Sequence, residues 1–490
     1  MRSRYDEVFS LSVRKGFIWP TADIYGGFGG FYDYGHLGAS LKRKWEDVWL
    51  HHFVKSEENY HLVDTTSILP YRSLKASGHV DHFTDIMAKC LKCGQSFRGD
   101  QLLEDATGVS AEGLSPDDVD ARIAELGLKC PDCGGEFESM KPFNMMFSLG
   151  VGPACTEKAF LRPETAQGVY LNFKREFEAL RRKLPLGLAI MGRAFRNEIS
   201  PRQGAYRMRE FLQAELQIFF DPEDEGFPES INQSSLKDVK LKVSFEDDRD
   251  SIRELTCKEL LDGGLPWFYV AHMAKVQSFY VDVLKYPPER FRFVELGEDE
   301  RAFYNKIHFD VQIDMDSLGG FKEVAGLHYR TDHDLSGHQK ESHERMSISR
   351  EGRRLIPHVL ELSFGIDRNI WSLLDTFYER NERSILKLPA SLAPIQVGVF
   401  PLLSRDGLPE LAKKVYDNLR REFDCTYDSS GSIGRRYARM DEVGTPYCIT
   451  VDHETLESDD VTIRDRDTTD QVRKSIEELS DALRELLRGC

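Results

Sequence analysis

The stretch AFRNEISPRQGAYRMREFLQAELQIFF, residues 194–220, decides the architecture. Leu212, Ala214, Leu216, Ile218 and Phe220 fall on one face of an extended chain and Phe211, Gln213, Glu215 and Gln217 on the other, which is the alternation of a strand. A face of Gln, Glu and Gln must meet water or a polar ligand, so this sheet lines a site. The preceding run, LGLAIMGRAFRNE, residues 186–198, also reads as strand, and Pro201 and Gly204 mark the loop between the two. Arg196 and Glu198, two residues apart, leave their strand on one side, and Arg207 and Arg209 stand just before Phe211. An arginine fork grips phosphate and a neighbouring ring stacks on a purine; the same residues also suit a cross-strand ion pair beside a core Phe.

Working outward, HVLELSFGIDRNIWSLL, residues 358–374, places Val359, Glu361 and Ser363 on one face, a break at Gly365, and a helix through Ile366, Ile370, Leu373 and Phe377. Arg368 then lies in the first helical turn, where free N–H groups already favour anions. Beside Arg196 and Arg207 it completes a triphosphate site. Neither G-x-x-x-x-G-K-[ST] nor G-x-G-x-x-G after a strand occurs, so a nucleotide is held by other means. Upstream, the Gly- and aromatic-rich residues 16–36 read as loop, followed by a helix on Leu37, Leu41, Trp45, Val48 and His52 and an extended run to Pro70. Residues 90–140 look like an inserted module with two cysteine pairs, and residues 221–300, charged and mostly helical in pattern, like a second insertion. LPASLAPIQ, residues 388–396, reads as a linker to a small α/β domain whose last helix is expected on Val472, Ile476, Leu479, Leu483 and Leu486.

At 490 residues the chain has room for about three domains. A net charge of −17 argues against a uniformly basic surface but leaves room for a local basic stripe. No apolar run approaches a membrane span and the N-terminus lacks the apolar core of a signal peptide, which makes the cytoplasm the expected compartment. Nine cysteines form no disulfide framework of a secreted protein. Cys90-x2-Cys93 and Cys130-x2-Cys133 have zinc-ribbon spacing within each pair, and such a closed four-sulfur site is structural; four free thiols are the alternative.

FRNEISPRQGAYRMREFLQAE resembles motif 2 of the class II aminoacyl-tRNA synthetases (about 193–215), ELSFGIDR resembles their motif 3 (about 357–374), and residues 37–70 resemble motif 1, the dimer-forming element of that class. YDYGHLG, FNMMF, LRPETAQGVYLNFKR, HYRTDHDL and SSGSIGRRYARMDEVGTP are further similar, in order, to signatures of the dimeric glycyl-tRNA synthetases. The resemblance implies an α/β protein: a class II core over 1–388, an antiparallel sheet with flanking helices, and an α/β anticodon-binding domain over 389–490. It further implies a cytoplasmic homodimer without membrane contact that makes glycyl-adenylate from glycine and ATP with Mg²⁺ and charges tRNA(Gly). Arg196 would hold the α-phosphate, Glu198 the adenine amine or the acceptor end, Phe211 the adenine ring, and Arg207 and Arg368 the γ-phosphate. Arg196, Glu198 and Arg368 are the implied catalytic set. The implied ATP site adds Asn197, Tyr206, Met208, Arg209, Glu210, Glu323, Val324, Gly365, Ile366 and Asp367, with Glu323 a candidate Mg²⁺ ligand.

The implied glycine site comprises Glu164, Glu215, Glu361 and Ser363 with Arg98, Phe211, Leu212, Gln213, Ala214, Leu362, Phe364 and Gly365. Because glycine has no side chain to recognise, such a pocket works by exclusion. Ser430, Gly431, Arg435, Arg436 and Arg439 are the implied anticodon contacts, a solvated helix face being the other reading of Arg435 and Arg436. The chain departs from the common family pattern at His36 and Leu362, where prolines are usual, and at Gln217, where an acid is usual. Leu362 is the departure expected to reshape the pocket floor. A non-catalytic relative would have lost the arginine set, which is present here, and Glu361, Ser363 and RPETAQG speak against another amino acid.

Overall fold

The computed structural model describes residues 3–488 except 110, 112, 202–203, 225–226, 229–232, 299, 303 and 381–382. Arg202 of the motif-2 stretch and Cys490 therefore lie outside the described residues. Nine strands form one sheet: β1 (Tyr60–Val63), β2 (Leu186–Phe195), β3 (Glu210–Phe220), β4 (Lys240–Phe245), β5 (Asp248–Thr256), β6 (Phe291–Glu295), β7 (Ile307–Met315), β8 (Gly320–Thr331) and β9 (His358–Gly365). Their spatial order is β5-β4-β6-β7-β8-β9-β3-β2-β1, antiparallel except for the β1–β2 and β4–β6 pairs.

Alternation along β3 and β9 divides the two faces. Ala214, Leu216, Ile218, Leu360, Leu362 and Phe364 point to one side and are buried under α1 (His36–Leu50), α3 (Trp267–Ser278) and α4 (Ile366–Phe377), whose Trp45, Trp49, Met273, Val276 and Ile370 complete the main core. On the other side Phe219, Leu188 and Val359 are covered by Phe173 and Phe177 of α2 (Ala166–Ala179). Beyond α2 that second face carries polar side chains and stays open, which is where the site lies. The α1 helix continues as one π turn, His51–Lys55.

Two sequence expectations are corrected. Residues 221–300 are not mostly helical: α3 and the helix Cys257–Asp262 are there, but β4, β5 and β6 from the same segment extend the main sheet. The apolar alternations KLKVSF and FRFVE are short and lie among charges, so periodicity alone underweights them; pairing of β6 with β7, and of β4 with β6, decides. The last helix is also shorter than expected. Val472 lies 52% exposed in a strand, Gln471–Ser475, and the helix spans only Leu479–Arg488. An i, i+4 coincidence of Val472 and Ile476 mimics a helical stripe that hairpin pairing with Asp460–Asp465 overrides.

The C-terminal sheet is built from β10 (Val397–Pro401), β11 (Cys425–Tyr427), β12 (Tyr447–Val451), β13 (Asp460–Asp465) and β14 (Gln471–Ser475), in the order β11-β10-β12-β13-β14. It packs on α5 (Leu408–Leu419) and Leu479 and Leu483 of the last helix, with a core of its own. Residues 84–144 form a satellite: Thr84–Lys89 pairs with Ser96–Arg98 and with Lys141–Asn144, two helices lie between, and a small separate core joins them.

Candidate active site

Strand register sets the site. Gln217 faces Glu361, Glu361 faces His328 and His328 faces His308 across four strands. In the next row Glu215 faces Ser363, Ser363 faces Gly326 and Gly326 faces Asp310. Side chains two apart on each strand share a face, so Glu361, His328 and His308 of the first row and all of the second rise into one cavity of about 290 Å³, with Gln217 buried behind Glu361. Arg196, Glu198, Tyr206, Arg207, Met208, Phe211, Leu212, Gln213, Gly365, Asp367, Arg368, Glu323, Glu164, Glu215, Glu361 and Ser363 all line it.

The cations are held at its rim. Arg196 donates from Nε to the Pro163 carbonyl (3.1 Å) and its guanidinium lies 5.3 Å from the ring centres of Phe83 and Phe211. Arg207 Nε meets Glu198 (3.0 Å). Arg368 pairs with Glu323 (2.7 Å) over the ring of Tyr206, whose hydroxyl donates to the Glu323 carbonyl (2.9 Å). Burial alone would raise the Glu323 carboxyl, but the Arg368 charge outweighs it and holds the group below its ordinary value. Asp310 is raised by burial and by the Glu323 charge, as befits two acids sharing a site.

At the deep end three buried carboxylates meet one buried guanidinium. Arg330 donates to Glu361 (2.9 Å), to both oxygens of Asp334 (2.8 and 3.0 Å) and to Glu164 (3.5 Å). Gln167 bridges Glu164 and Asp334, and His79 lies 3.4 Å from Glu164. Tyr170 and Gln217 donate to Glu361 at 3.2 and 2.8 Å. Glu215 accepts from Thr165 (2.6 Å) and Ser363 (3.1 Å) and, among the described residues, forms no ion pair with an arginine. Burial and the charges of Glu361 and Glu164 push its carboxyl up to about 8. Glu361 is also raised by burial, whereas for Glu164 the His79 and Arg330 charges overcome burial and hold it well below the carboxylate range.

Other expected positions lie elsewhere. Ala214, Leu362 and Phe364 turn to the helix-covered core, because β3 and β9 alternate. The unusual Leu362 therefore packs under the sheet instead of shaping the pocket floor. Val324 and Ile366 are core residues too. Asn197 bonds through its backbone to Met145, Arg209 holds the Gly29 and Glu198 carbonyls, and Glu210 pairs with Arg193 (2.5 Å). Arg98 is paired with Asp100 and Asp85 in the satellite and faces a neighbouring groove instead of the cavity. Asp367 lines the cavity but accepts from Leu212 N (2.6 Å) and Tyr34 (2.5 Å), with burial pushing it up to about 6. Sequence reasoning missed Thr165, Gln167 and Tyr170, at the start of α2 in RPETAQGVY, and His328 and Arg330 on β8 with Asp334 in the helix that follows, in HYRTDHDL. Their signal was polar side chains inside quoted signatures; His308, Asp310 and Tyr304 had none.

In the C-terminal unit Arg435 is exposed beside exposed Ser430 and Gly431, and Arg439 bonds Asp428 and the Ser430 carbonyl. Arg436 is neither a solvated residue nor a free contact: it is buried, donating to the Pro401 and Gly431 carbonyls, because it sits on the inner side of the helix Ile433–Asp441. The sulfurs of Cys90, Cys93, Cys130 and Cys133 lie within 4.8 Å of one another, with Cys90–Cys133 at 3.5 Å and Cys93–Cys130 at 3.7 Å. Among the described residues no helix is long and apolar enough to cross a membrane.

Comparison with known proteins gives one family. Residues 154–377 match the tRNA synthetase class II core domain (G, H, P, S and T) and residues 396–486 the anticodon binding domain. The chain is 37% identical to the glycine–tRNA ligase of Thermococcus sibiricus over the whole of both chains, and 37% identical to that of Pyrococcus furiosus over 99% of each. A solved prolyl-tRNA synthetase from Cryptosporidium parvum, complexed with L-proline and AMP, shares the fold at a TM-score of 0.59 and 14% identity, over 99% of this chain and 76% of that one.

Proposed function

Since this chain belongs to the glycine–tRNA ligase family of class II synthetases, we propose that its cavity activates glycine with ATP and passes the glycyl group to the 3′ end of tRNA(Gly). The observation that carries the reading is one cavity with arginines at its rim and three buried glutamates with Ser363 at its floor. The rim suits a triphosphate and the floor an ammonium group.

The glycine carboxylate oxygen attacks the α-phosphorus as the bond to pyrophosphate breaks, and a ribose hydroxyl at the tRNA end then displaces AMP from the acyl carbon. Arg196, fixed by Pro163 and flanked by Phe83 and Phe211, faces charge gathering on the α-phosphate, while Phe211 supports the adenine ring. Arg207 and Arg368 hold the outgoing phosphates, with Glu198 and Glu323 as their partners before ATP arrives. The glycine ammonium is received by Glu164, Glu215, Glu361 and Ser363. Class II synthetases use ATP with a divalent metal, and Glu323 beside Asp310 would hold Mg²⁺, which neutralises phosphate charge when bound.

The anticodon-binding unit is residues 389–490, with Arg435, Arg439, Ser430 and Gly431 toward the anticodon. Two copies pair through residues 37–70, where the edge strand β1 leaves Leu62 54% exposed. The four sulfurs would hold a structural zinc ion, since four thiolates gathered this closely, with pairs 3.5 and 3.7 Å apart, make a closed site that leaves no position for chemistry. Amino-acid-dependent ATP–pyrophosphate exchange tests the activity. Exchange with glycine and with none of alanine, serine, threonine or proline is expected; exchange with another of these instead would overturn it.

A further inference from the structure

The row behind Ser363 holds a histidine to which neither the binding of ATP nor that of glycine gives a role. His328 stands on β8 between Glu361 and His308, with 15% of its side chain exposed. Three contacts fix the ring. Its Nδ1 lies 3.0 Å from Asn305 Nδ2, its ring lies against His308 with centroids 4.1 Å apart and planes tilted by 44°, and its Nε2 lies 3.7 Å from Glu361 Oε1. The ring leans over Gly326, two residues back on the same face. A Cβ at Gly326 would stand 2.6 Å from His328 Nε2, so imidazole occupies the space that any larger residue there would need. Gly326 is also the register partner of Ser363, which bonds Glu215. The imidazole therefore lies over bare backbone directly beside the groups read above as glycine ligands.

We propose that His328 is a specificity-determining residue: held by Asn305 and His308, its ring walls off the space beside Ser363 and Gly326 into which the side chain of any amino acid other than glycine would project. This rests on the glycine-activating reading of the same cavity. Carboxylates alone attract every amino-acid ammonium equally, so discrimination has to come from filled volume. The ring also stays uncharged, since burial and the neighbouring His308 hold it well below the ordinary histidine range, and a neutral wall does not compete with the ammonium for Glu361.

The test is pyrophosphate exchange by the full-length protein with glycine, L-alanine and D-alanine, before and after His328→Ala, with thermal melting as the check of folding. The ratio of kcat/KM for one alanine enantiomer over glycine should rise at least about tenfold, the discrimination that one methyl group carries in a tight pocket. His328→Leu, which refills the volume without the ring nitrogens, should return most of that discrimination. Should His328→Ala not fold, His328→Val takes its place and should admit the same enantiomer. An unchanged ratio in a folded variant overturns the wall. So does an equal rise for both enantiomers, which marks a pocket loosened throughout. Absence of glycine exchange in the unmodified protein defeats the activity reading itself, and the wall with it.

Discussion

Glu215, between Thr165 and Ser363, keeps its proton to about pH 8 because burial and two neighbouring carboxylates disfavour its charge. Glycine binds it as an ammonium ion, so binding below that pH must expel the proton. The KM for glycine is expected to fall as pH rises from about 6 to about 8, and calorimetry in buffers of different ionisation heat should record proton release. Stability carries the opposite sign. Between the ordinary 4.5 of the unfolded chain and about 8, the folded state binds more protons than the unfolded one, so this group costs stability increasingly as pH rises. Glu215→Gln should raise the melting temperature by a few degrees at pH 8 and hardly at pH 5. The two adjacent arginines of GRRYAR separate in the same manner. Arg436→Ala, which removes a buried donor to two carbonyls, should cost about 2–3 kcal/mol in chemical denaturation, whereas Arg435→Ala should leave stability alone and weaken tRNA binding. Sequence shows that Glu215 and Glu361 lie on polar faces of strands, because period-two alternation is local; Arg196 and Glu198, expected on the strand before them, lie beyond its end at Phe195, where the chain turns so that Glu198 N bonds the Arg196 carbonyl. It does not show Arg330 against Glu164 and Glu361, since those partners are 166 and 31 positions away and meet only through register.

Among elements, those read correctly are the ones with long uninterrupted patterns: β3, β9 and the helices α1 and α4. The strands β4, β5 and β6, at one end of the sheet, escape because they are short or charged, so only the partner strand reveals them. The cysteine module is the element most dependent on something beyond the chain. Its own apolar core is small, and the four sulfurs tie Cys90 to Cys133 across 43 positions. Chelation, or Cys93→Ser, should raise hydrogen exchange over residues 84–144 and open that segment to protease. Exchange elsewhere, and glycine-dependent pyrophosphate exchange, should persist.

The whole molecule is joined where the C-terminal unit meets the hairpin after α4. Asp441 accepts from Arg464 (2.9 and 3.1 Å) and from Arg383 (2.9 Å), and Arg466 grips the carbonyls of Leu386, Leu388 and Gly444. Phe400, Met440 and Cys448 also join the main core, so the two units share one hydrophobic seam. Asp441→Ala leaves the buried Arg464 without its carboxylate and should cost about 3–5 kcal/mol. It should raise the KM for tRNA in the charging assay while sparing pyrophosphate exchange. The strand order has a further effect on how the protein comes into being. β9 is late in the chain yet central in the sheet, flanked by β8 and β3. As the polypeptide leaves the ribosome, the β2–β3 pair and the β4–β8 group must each wait with a long edge bare, and neither can close the sheet until residues 358–365 emerge between them. A chain stopped just short of that point would carry two open edges and lack Glu361 and Ser363 of the glycine pocket, so premature termination here yields an aggregating fragment and no partial enzyme.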